Sequence, residues 1–308
     1  MKRILIILIF VTAFLTLSIA LKLHYSPTTF STAQSGTLKI SASFYPLAFF
    51  AEQIGGQYVN VRTITPASAE PHDYEPTTQD IATIESGNLL ILNGNVEPWG
   101  VKVHDILQGT NVTVVTAGAG LLTQQLVENG ISTTDPHVWL NPHLAMQEAY
   151  VIEQAIAAKD PAHVAYYQQQ LGKLTTTLDA IDTAYHTGLA HCSQSAFITS
   201  HAAFGYLASH YGLQQVAIAG LSPDAEPSGQ QLADVSAFAK AHNVTYIFFE
   251  SLVSPKLAET IAREVGAQTL VLNPIEGLTP NDSTAGKDYT SLMRDNLHNL
   301  ELALQCTP

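Results

Sequence analysis

The fold is decided by residues 160–185, which read DPAHVAYYQQQLGKLTTTLDAIDTAY. Asp160 and Pro161 are a favoured capping and first-turn pair, so they predict the start of a helix. Apolar residues then recur at alternating steps of three and four, which places them on one stripe of that helix. The stripe consists of Val164, Tyr167, Leu171, Leu174, Leu178, Ile181 and Tyr185. Gly172 and the lack of paired charges argue against a coiled coil, so we expect a rigid helix that links two bodies.

Short β-rich segments alternate with helical segments on both sides of this helix. The predicted strands are Leu38–Phe44, Val59–Ile64, Leu89–Asn93 and Val112–Thr116 before it, and Ala196–Thr199, Gln214–Ile218, Tyr246–Phe249 and Thr269–Leu272 after it. This alternation is typical of α/β proteins. The sequence therefore predicts two similar α/β lobes, at residues 38–159 and 191–308, joined by a linking helix at residues 160–190.

The N-terminal region predicts export. Residues 1–21 combine two basic residues with an apolar run, which is typical of a signal peptide that is either cleaved or retained as a membrane anchor. No cysteine follows the run, so a lipid anchor is not expected. Residues 22–37, rich in Ser, Thr and Pro, predict a flexible tether. The expected location is extracytoplasmic, in a periplasm or on the outer face of the cell membrane.

Charge and cysteine content exclude two classes of function. The chain has 13 basic and 26 acidic residues, a formal net charge of −13, which argues against a nucleic-acid partner. Two cysteines are too few for a zinc–thiolate site, so any bound metal must be held by histidines and carboxylates.

Four motifs place ligand-type side chains after predicted strands or at predicted helix starts. They are EPHDYEP at residues 70–76 with His72, DPHVWLNP at residues 135–142 with His137, ITSHAAF at residues 198–204 with His201, and LNPIEG at residues 272–277 with Glu276. One histidine in a turn is usually a surface residue, but here two candidates come from each lobe and would meet in the cleft between them. Three nitrogens and one oxygen suit tetrahedral Zn²⁺, whereas Mn²⁺ prefers more oxygen.

These motifs, with DAEPS at residues 224–228, resemble the zinc- and manganese-binding solute-binding proteins of ABC importers, especially the zinc-uptake branch. The resemblance covers residues 38–304 and implies two α/β lobes joined by one long helix. It implies that His72, His137, His201 and Glu276 bind the metal. It also implies a monomeric carrier, not an enzyme, that captures Zn²⁺ and delivers it to a membrane ABC permease with a cytoplasmic ATPase.

The chain differs from other members of this group in two ways. Manganese-binding members typically have a glutamate third and an aspartate last, where this chain has His201 and the neutral Asn273. Zinc-uptake relatives with a similar Asn-Pro-x-Glu-Gly turn use its glutamate, and this resemblance assigns the fourth ligand to Glu276. The histidine-rich loop of many zinc-uptake members is missing, since residues 118–134 contain no histidine. Mn²⁺ stays as the alternative cargo.

Two other functions are weighed against the carrier. A zinc-dependent hydrolase would use Glu276 as a general base, but the chain has no His-Glu-x-x-His motif. The sequence contains no repeat that would favour a surface adhesin. Asp73, Glu75 and Glu250 could orient the imidazoles or simply be solvated.

The two cysteines and the histidines outside the four motifs are interpreted as structural or surface residues. Cys192 and Cys306 are expected to pair in an oxidising compartment. His143, which follows Pro142 at a predicted helix start, is interpreted as a partly exposed helix residue and not as a ligand. His210 is interpreted as a surface residue, and Trp99 as a core residue.

Overall fold

Two four-stranded parallel sheets carry the fold of residues 37–128, 131–223 and 225–307, which the computed structural model describes. The first sheet contains β1 (Leu38–Ala42), β2 (Val59–Thr63), β3 (Leu89–Leu92) and β4 (Thr113–Thr116), and the second contains β7 (Ala196–Thr199), β8 (Gln214–Ala217), β9 (Tyr246–Phe249) and β10 (Gln268–Val271). A separate antiparallel hairpin pairs β5 (Gln125–Glu128) with β6 (Ile131–Thr134). The predicted signal at residues 1–21 and the tether, except for Thr37, lie outside the described residues.

The two sheets have the same strand order. The first runs β2-β1-β3-β4 and the second, read from its β8 edge, runs β8-β7-β9-β10. The order reverses beside β1 and beside β7, and ligands of open α/β sheets bind at the carboxyl ends of strands near such a reversal. All eight predicted strands are confirmed, with ends that differ from the prediction by at most two residues. The predicted α/β class with two lobes is confirmed as well.

Ten α-helices connect the strands of the described residues. They are α1 (Tyr45–Gly55), α2 (Thr78–Glu85), α3 (Gly100–Ile106), α4 (Pro142–Lys159), α5 (Val164–Gly188), α6 (Gly205–His210), α7 (Gly229–Ala241), α8 (Lys256–Val265), α9 (Pro280–Thr284) and α10 (Tyr289–Ala303). No helix among the described residues combines the length and the apolar character that a membrane span requires.

Helix α5 is the predicted linking helix, and its α-helical part begins at Val164, three residues after the predicted first turn at Pro161. A 3-10 turn at Pro161–His163 precedes the helix, and Asp160 does not cap it. The Asp160 carboxylate instead lies 2.6 Å from His163 Nδ1 and accepts a hydrogen bond of 2.6 Å from the Tyr167 hydroxyl. These local bonds compete with capping of the first turn.

The apolar stripe of α5 packs against both lobes. Its buried members are Tyr167, Leu174, Leu178, Ile181 and Tyr185. They join a central core that α1 and α4 of the first lobe share with α10 of the second. Each fully buried aromatic or leucine side chain stabilises such a core by roughly 1.5–3 kcal/mol. The shared core therefore joins the two lobes along the linking helix.

Two smaller clusters cover the outer faces of the sheets. One contains Trp99, which is buried as predicted, and the other surrounds Ile198 and Ile247. The predicted disulfide between Cys192 and Cys306 is present and ties the end of α10 to the segment after α5. The linked residues are 114 apart, and closing such a loop stabilises a fold by about 4–5 kcal/mol on the chain-entropy estimate.

Candidate metal centre

His72 lies in the loop that follows β2, between two prolines that restrict the backbone. Its imidazole is almost buried, with 8% of the side chain exposed. The backbone N–H of His72 donates a hydrogen bond of 3.3 Å to Glu70, and burial and the nearby Glu276 raise the pKa of Glu70 to about 10. Burial lowers the pKa of His72, which favours the neutral imidazole that a metal ion needs.

His137 lies between the β5–β6 hairpin and a 3-10 turn at Val138–Leu140. Asp135 Oδ1 accepts a hydrogen bond of 2.9 Å from the backbone N–H of His137 and lies 2.8 Å from its Nδ1. Burial alone would lower the pKa of His137, but the nearby carboxylates of Asp135 and Glu276 outweigh burial and raise the pKa to about 9. This carboxylate holds the ring so that Nε2 points into the site.

His201 follows β7, and Glu250 follows the neighbouring β9. His201 Nδ1 lies 2.6 Å from Glu250 Oε1, and both side chains are buried. Parallel strands place these residues at the same sheet edge, beside the point where the strand order reverses. Glu250 thus fixes His201 as Asp135 fixes His137.

Glu276 is presented by a tight turn after β10. Ile275 adopts a φ of 61°, a left-handed conformation that strains a β-branched residue. The turn is held because the Ile275 N–H donates to Asn273 Oδ1 at 2.8 Å and Trp139 Nε1 donates to the Pro274 carbonyl at 2.7 Å. Gly277 lies so close to the His72 loop that a Cβ there would be 2.7 Å from the Ala67 carbonyl oxygen.

The four ligand-type atoms form a small tetrahedron. Nε2 of His137 lies 3.1 Å from Nε2 of His72 and 3.4 Å from Nε2 of His201. Oε1 of Glu276 lies 3.4 Å from Nε2 of both His72 and His137 and 3.8 Å from Nε2 of His201. Bonds of about 2.0–2.1 Å to a tetrahedral zinc ion separate ligand atoms by about 3.3–3.4 Å. The measured distances bracket that length.

The hydrogen-bond roles of the imidazoles favour a cation at the centre. If each Nδ1 donates to its carboxylate, the neutral rings of His137 and His201 direct their Nε2 lone pairs at each other, so a proton or a metal cation must lie between them. Among the described residues, neither oxygen of Glu276 accepts a hydrogen bond of ordinary length. Burial would raise the pKa of Glu276, but the imidazoles of His137 and His72 hold it well below its usual range. The site is arranged to surround positive charge.

The four predicted site residues all lie in this centre. Of the three residues predicted to orient the imidazoles, only Glu250 contacts one of them. Glu250 contacts His201, whereas Asp73 accepts a hydrogen bond of 2.9 Å from Ser222 and Glu75 lies 3.7 Å from Lys102 at the surface. The sequence interpretation missed the role of Asp135. Its position two residues before His137, in the quoted DPH motif, was the available signal.

Two α/β lobes that enclose one small, buried polar site define the class of two-lobed solute-binding proteins. The chain belongs to the ZnuA family, described as zinc-uptake complex component A, periplasmic, whose model matches residues 40–303.

Two relatives and one solved structure illustrate the similarity. The chain is 38% identical over 279 residues to the high-affinity zinc uptake system protein ZnuA of Bacillus subtilis, covering 87% of this chain and 88% of that protein. It is also 38% identical over 278 residues to the zinc-binding lipoprotein AdcA of Streptococcus pneumoniae, covering 86% of this chain but only 56% of AdcA. The crystal structure of the Zn(II)-bound ZnuA-like domain of AdcA superposes with a TM-score of 0.76 at 38% identity, covering 87% of this chain and 99% of that domain. The chain thus spans about half of AdcA and matches its ZnuA-like domain.

Proposed function

We propose that this protein is an extracytoplasmic solute-binding protein that captures Zn²⁺ with His72, His137, His201 and Glu276. The observation that carries the proposal is the tetrahedron of ligand atoms, whose measured edges of 3.1–3.8 Å fit zinc. Three nitrogens and one oxygen favour Zn²⁺ over Mn²⁺, which prefers oxygen-rich sites. The zinc binding of AdcA and the zinc uptake system to which ZnuA belongs support the same cargo.

The closed set of ligands favours a carrier over a hydrolase. A catalytic zinc site keeps a coordination position open for water, whereas four protein ligands complete a tetrahedral zinc ion. The proposed route continues from capture to a membrane ABC permease with a cytoplasmic ATPase, to which a monomer delivers the ion. The export signal predicted at residues 1–21 supports an extracytoplasmic location.

Release would require the lobes at residues 38–159 and 191–308 to shift about the linking helix at residues 160–190. Glu276 is the ligand proposed to move, because its turn is strained at Ile275 and abuts the His72 loop through Gly277. Crystal structures with and without zinc test this step. Identical Gly277 turns and ligand positions in the two would refute it.

Elemental analysis and competitive titration test the cargo. The purified full chain, freed of metal, is titrated with Zn²⁺ and Mn²⁺, and the His201→Ala variant is titrated in the same way. The control is His104→Ala, which removes an exposed histidine of α3. We expect one tightly bound zinc ion per chain, little displaced by manganese, lost in His201→Ala and retained in His104→Ala. Absence of stoichiometric metal, or a preference for manganese, would contradict the proposal.

Zinc uptake by cells tests the delivery step. In cells that lack this chain, we expect the parent and His104→Ala to restore zinc uptake and His201→Ala not to restore it. Equal uptake with all three would show that the chain is not the carrier.

A further inference from the structure

A second group of metal-ligand side chains lies outside the candidate centre, where α5 and α6 meet. Asp182 and His186 are four residues apart on α5, so they share one helix face. His210 ends α6 and reaches the same carboxylate. We call Asp182, His186 and His210 the surface cluster, and we propose that it is a second, exchangeable binding site for a divalent transition metal such as Zn²⁺.

The three side chains converge on one point. His210 Nε2 lies 2.9 Å from Asp182 Oδ1, and His186 Nε2 lies 3.7 Å from Asp182 Oδ2. One ligand atom from each residue lies within 4.8 Å of the others. The two distances, which involve different oxygens of Asp182, lie on either side of the edge of about 3.3–3.4 Å that a tetrahedral zinc ion requires. Side-chain shifts would have to bring one oxygen and both nitrogens to that spacing.

The hydrogen bonds around Asp182 prepare it as a ligand. The Tyr211 hydroxyl donates a hydrogen bond of 2.7 Å to Asp182 Oδ1 and so fixes the carboxylate from the protein side. The imidazoles of His186 and His210 both face Asp182, and their ring centroids are 5.3 Å apart. An ordinary ion pair needs only one imidazole, whereas two imidazoles and a carboxylate form a set that zinc and copper prefer.

Exposure makes this site different in kind from the buried centre. The His186 side chain is 56% exposed and that of His210 is 28% exposed. Three protein ligands leave at least one position to water, so binding is weaker and exchange is faster than in a closed site. The His143 ring stacks on that of His210 with centroids 6.3 Å apart and is the nearest further imidazole.

The surface cluster lies close to the buried centre along the chain. Helix α6 begins at Gly205, four residues after His201, and ends at His210. Six helical residues span about 9 Å. A chain without the histidine-rich loop would thus have a surface zinc site one short helix away from its buried one.

Zinc titration of the metal-free full chain against a competing chromophoric chelator tests the proposal. We expect a second zinc ion per chain that binds more weakly than the first. The exposed His186→Ala and the double variant His186→Ala/His210→Ala should lose the weaker ion and keep the tight one. His191→Ala, which removes another exposed histidine, is the matched control and should keep both.

Two further variants separate this proposal from the proposed function. Asp182→Asn preserves the shape of the side chain and should also lose the weaker ion. His201→Ala should lose the tight ion and keep the weaker one. A parent chain that binds only one zinc ion, or a double variant that still binds two, would overturn the second site without bearing on the buried one.

Discussion

The buried centre and the surface cluster are built from the same kinds of side chain but differ in what surrounds them. In the buried centre, carboxylates of Asp135 and Glu250 orient two imidazoles and a further carboxylate completes the set. In the surface cluster, the single carboxylate of Asp182 both contacts the imidazoles and is itself oriented by Tyr211.

If both proposals hold, this difference makes the same ligand types bind tightly in one place and exchangeably in the other. The imidazoles of the buried centre are fixed before the metal arrives, so little side-chain freedom is lost on binding. In the surface cluster a mostly exposed His186 must be ordered by the metal, and ordering a side chain costs up to about 2 kcal/mol. Affinity should therefore follow preorganisation and burial more than ligand type.

Removal of one imidazole from each site gives the largest expected contrast. His72→Ala should weaken tight zinc binding roughly a hundredfold to a thousandfold, since about 10–16 kcal/mol of binding free energy is spread over four ligands. His186→Ala should leave the tight site unchanged. Isothermal titration calorimetry in the presence of a competing chelator measures both. Equal losses of tight binding in the two variants would break the distinction between the sites.

A second comparison concerns the surroundings of two buried carboxylates. Glu276 lies among three imidazoles, whereas Glu148 of α4 has the amide of Asn93 as its hydrogen-bond partner. Burial raises the pKa of Glu148 to about 8, although Asn93 donates a hydrogen bond of 3.2 Å to it. An acid whose pKa is higher in the folded state than in the unfolded state stabilises the fold only while it is protonated. Its contribution is present below pH 4.5, the ordinary value, and is lost as the pH rises toward 8.

The free energy of unfolding should accordingly fall by about 2–3 kcal/mol between pH 5.5 and 7.5 on account of Glu148. Glu148→Gln should remove this part of the pH dependence and raise the stability at neutral pH. Urea unfolding at several pH values measures it, with the exposed Glu85→Gln as the charge-matched control. A Glu148→Gln profile parallel to that of the parent would show that this carboxylate does not titrate in the range.

The ligands of the buried centre could be found in the sequence because their motifs are local. His72 and Glu276 each lie within two residues of a proline, in loops after strands that strong β patterns reveal. The surface cluster could be found only in part. The four-residue spacing of Asp182 and His186 is visible in the sequence, but His210 lies 28 residues further along and reaches Asp182 only through packing.

The errors of the fold prediction also have local causes. The start of α5 was placed too early because Asp160 bonds to His163 and Tyr167 and does not cap the helix. The β5–β6 hairpin was not predicted, although the pair Asn129-Gly130 between its strands is a strong hairpin signal.

The orienting groups of the two sites give the third contrast. Glu250→Gln should weaken tight zinc binding roughly tenfold to a hundredfold. The negative charge of Glu250 orients the His201 ring and makes it more basic, and the variant removes that charge. Tyr211→Phe should weaken only the second zinc ion, and by less, because Asp182 keeps its own charge. Chelator competition measures both constants. A Glu250→Gln variant with parental affinity would show that burial alone orients His201.

The smallest expected effect concerns the close approach of the two loops that carry His72 and Glu276. Gly277→Ala places a methyl group 2.7 Å from the Ala67 carbonyl oxygen and must push these loops apart, at a cost of about 1–3 kcal/mol. Zinc affinity should fall although every ligand is still present. Gly172→Ala is the matched control, because nothing lies within 4 Å of the new methyl group on α5, and it should stabilise the helix by about 1 kcal/mol. If Gly277→Ala lowered the stability but left zinc affinity unchanged, the spacing of these loops would not set the geometry of the centre, and the orienting carboxylates alone would account for its preorganisation.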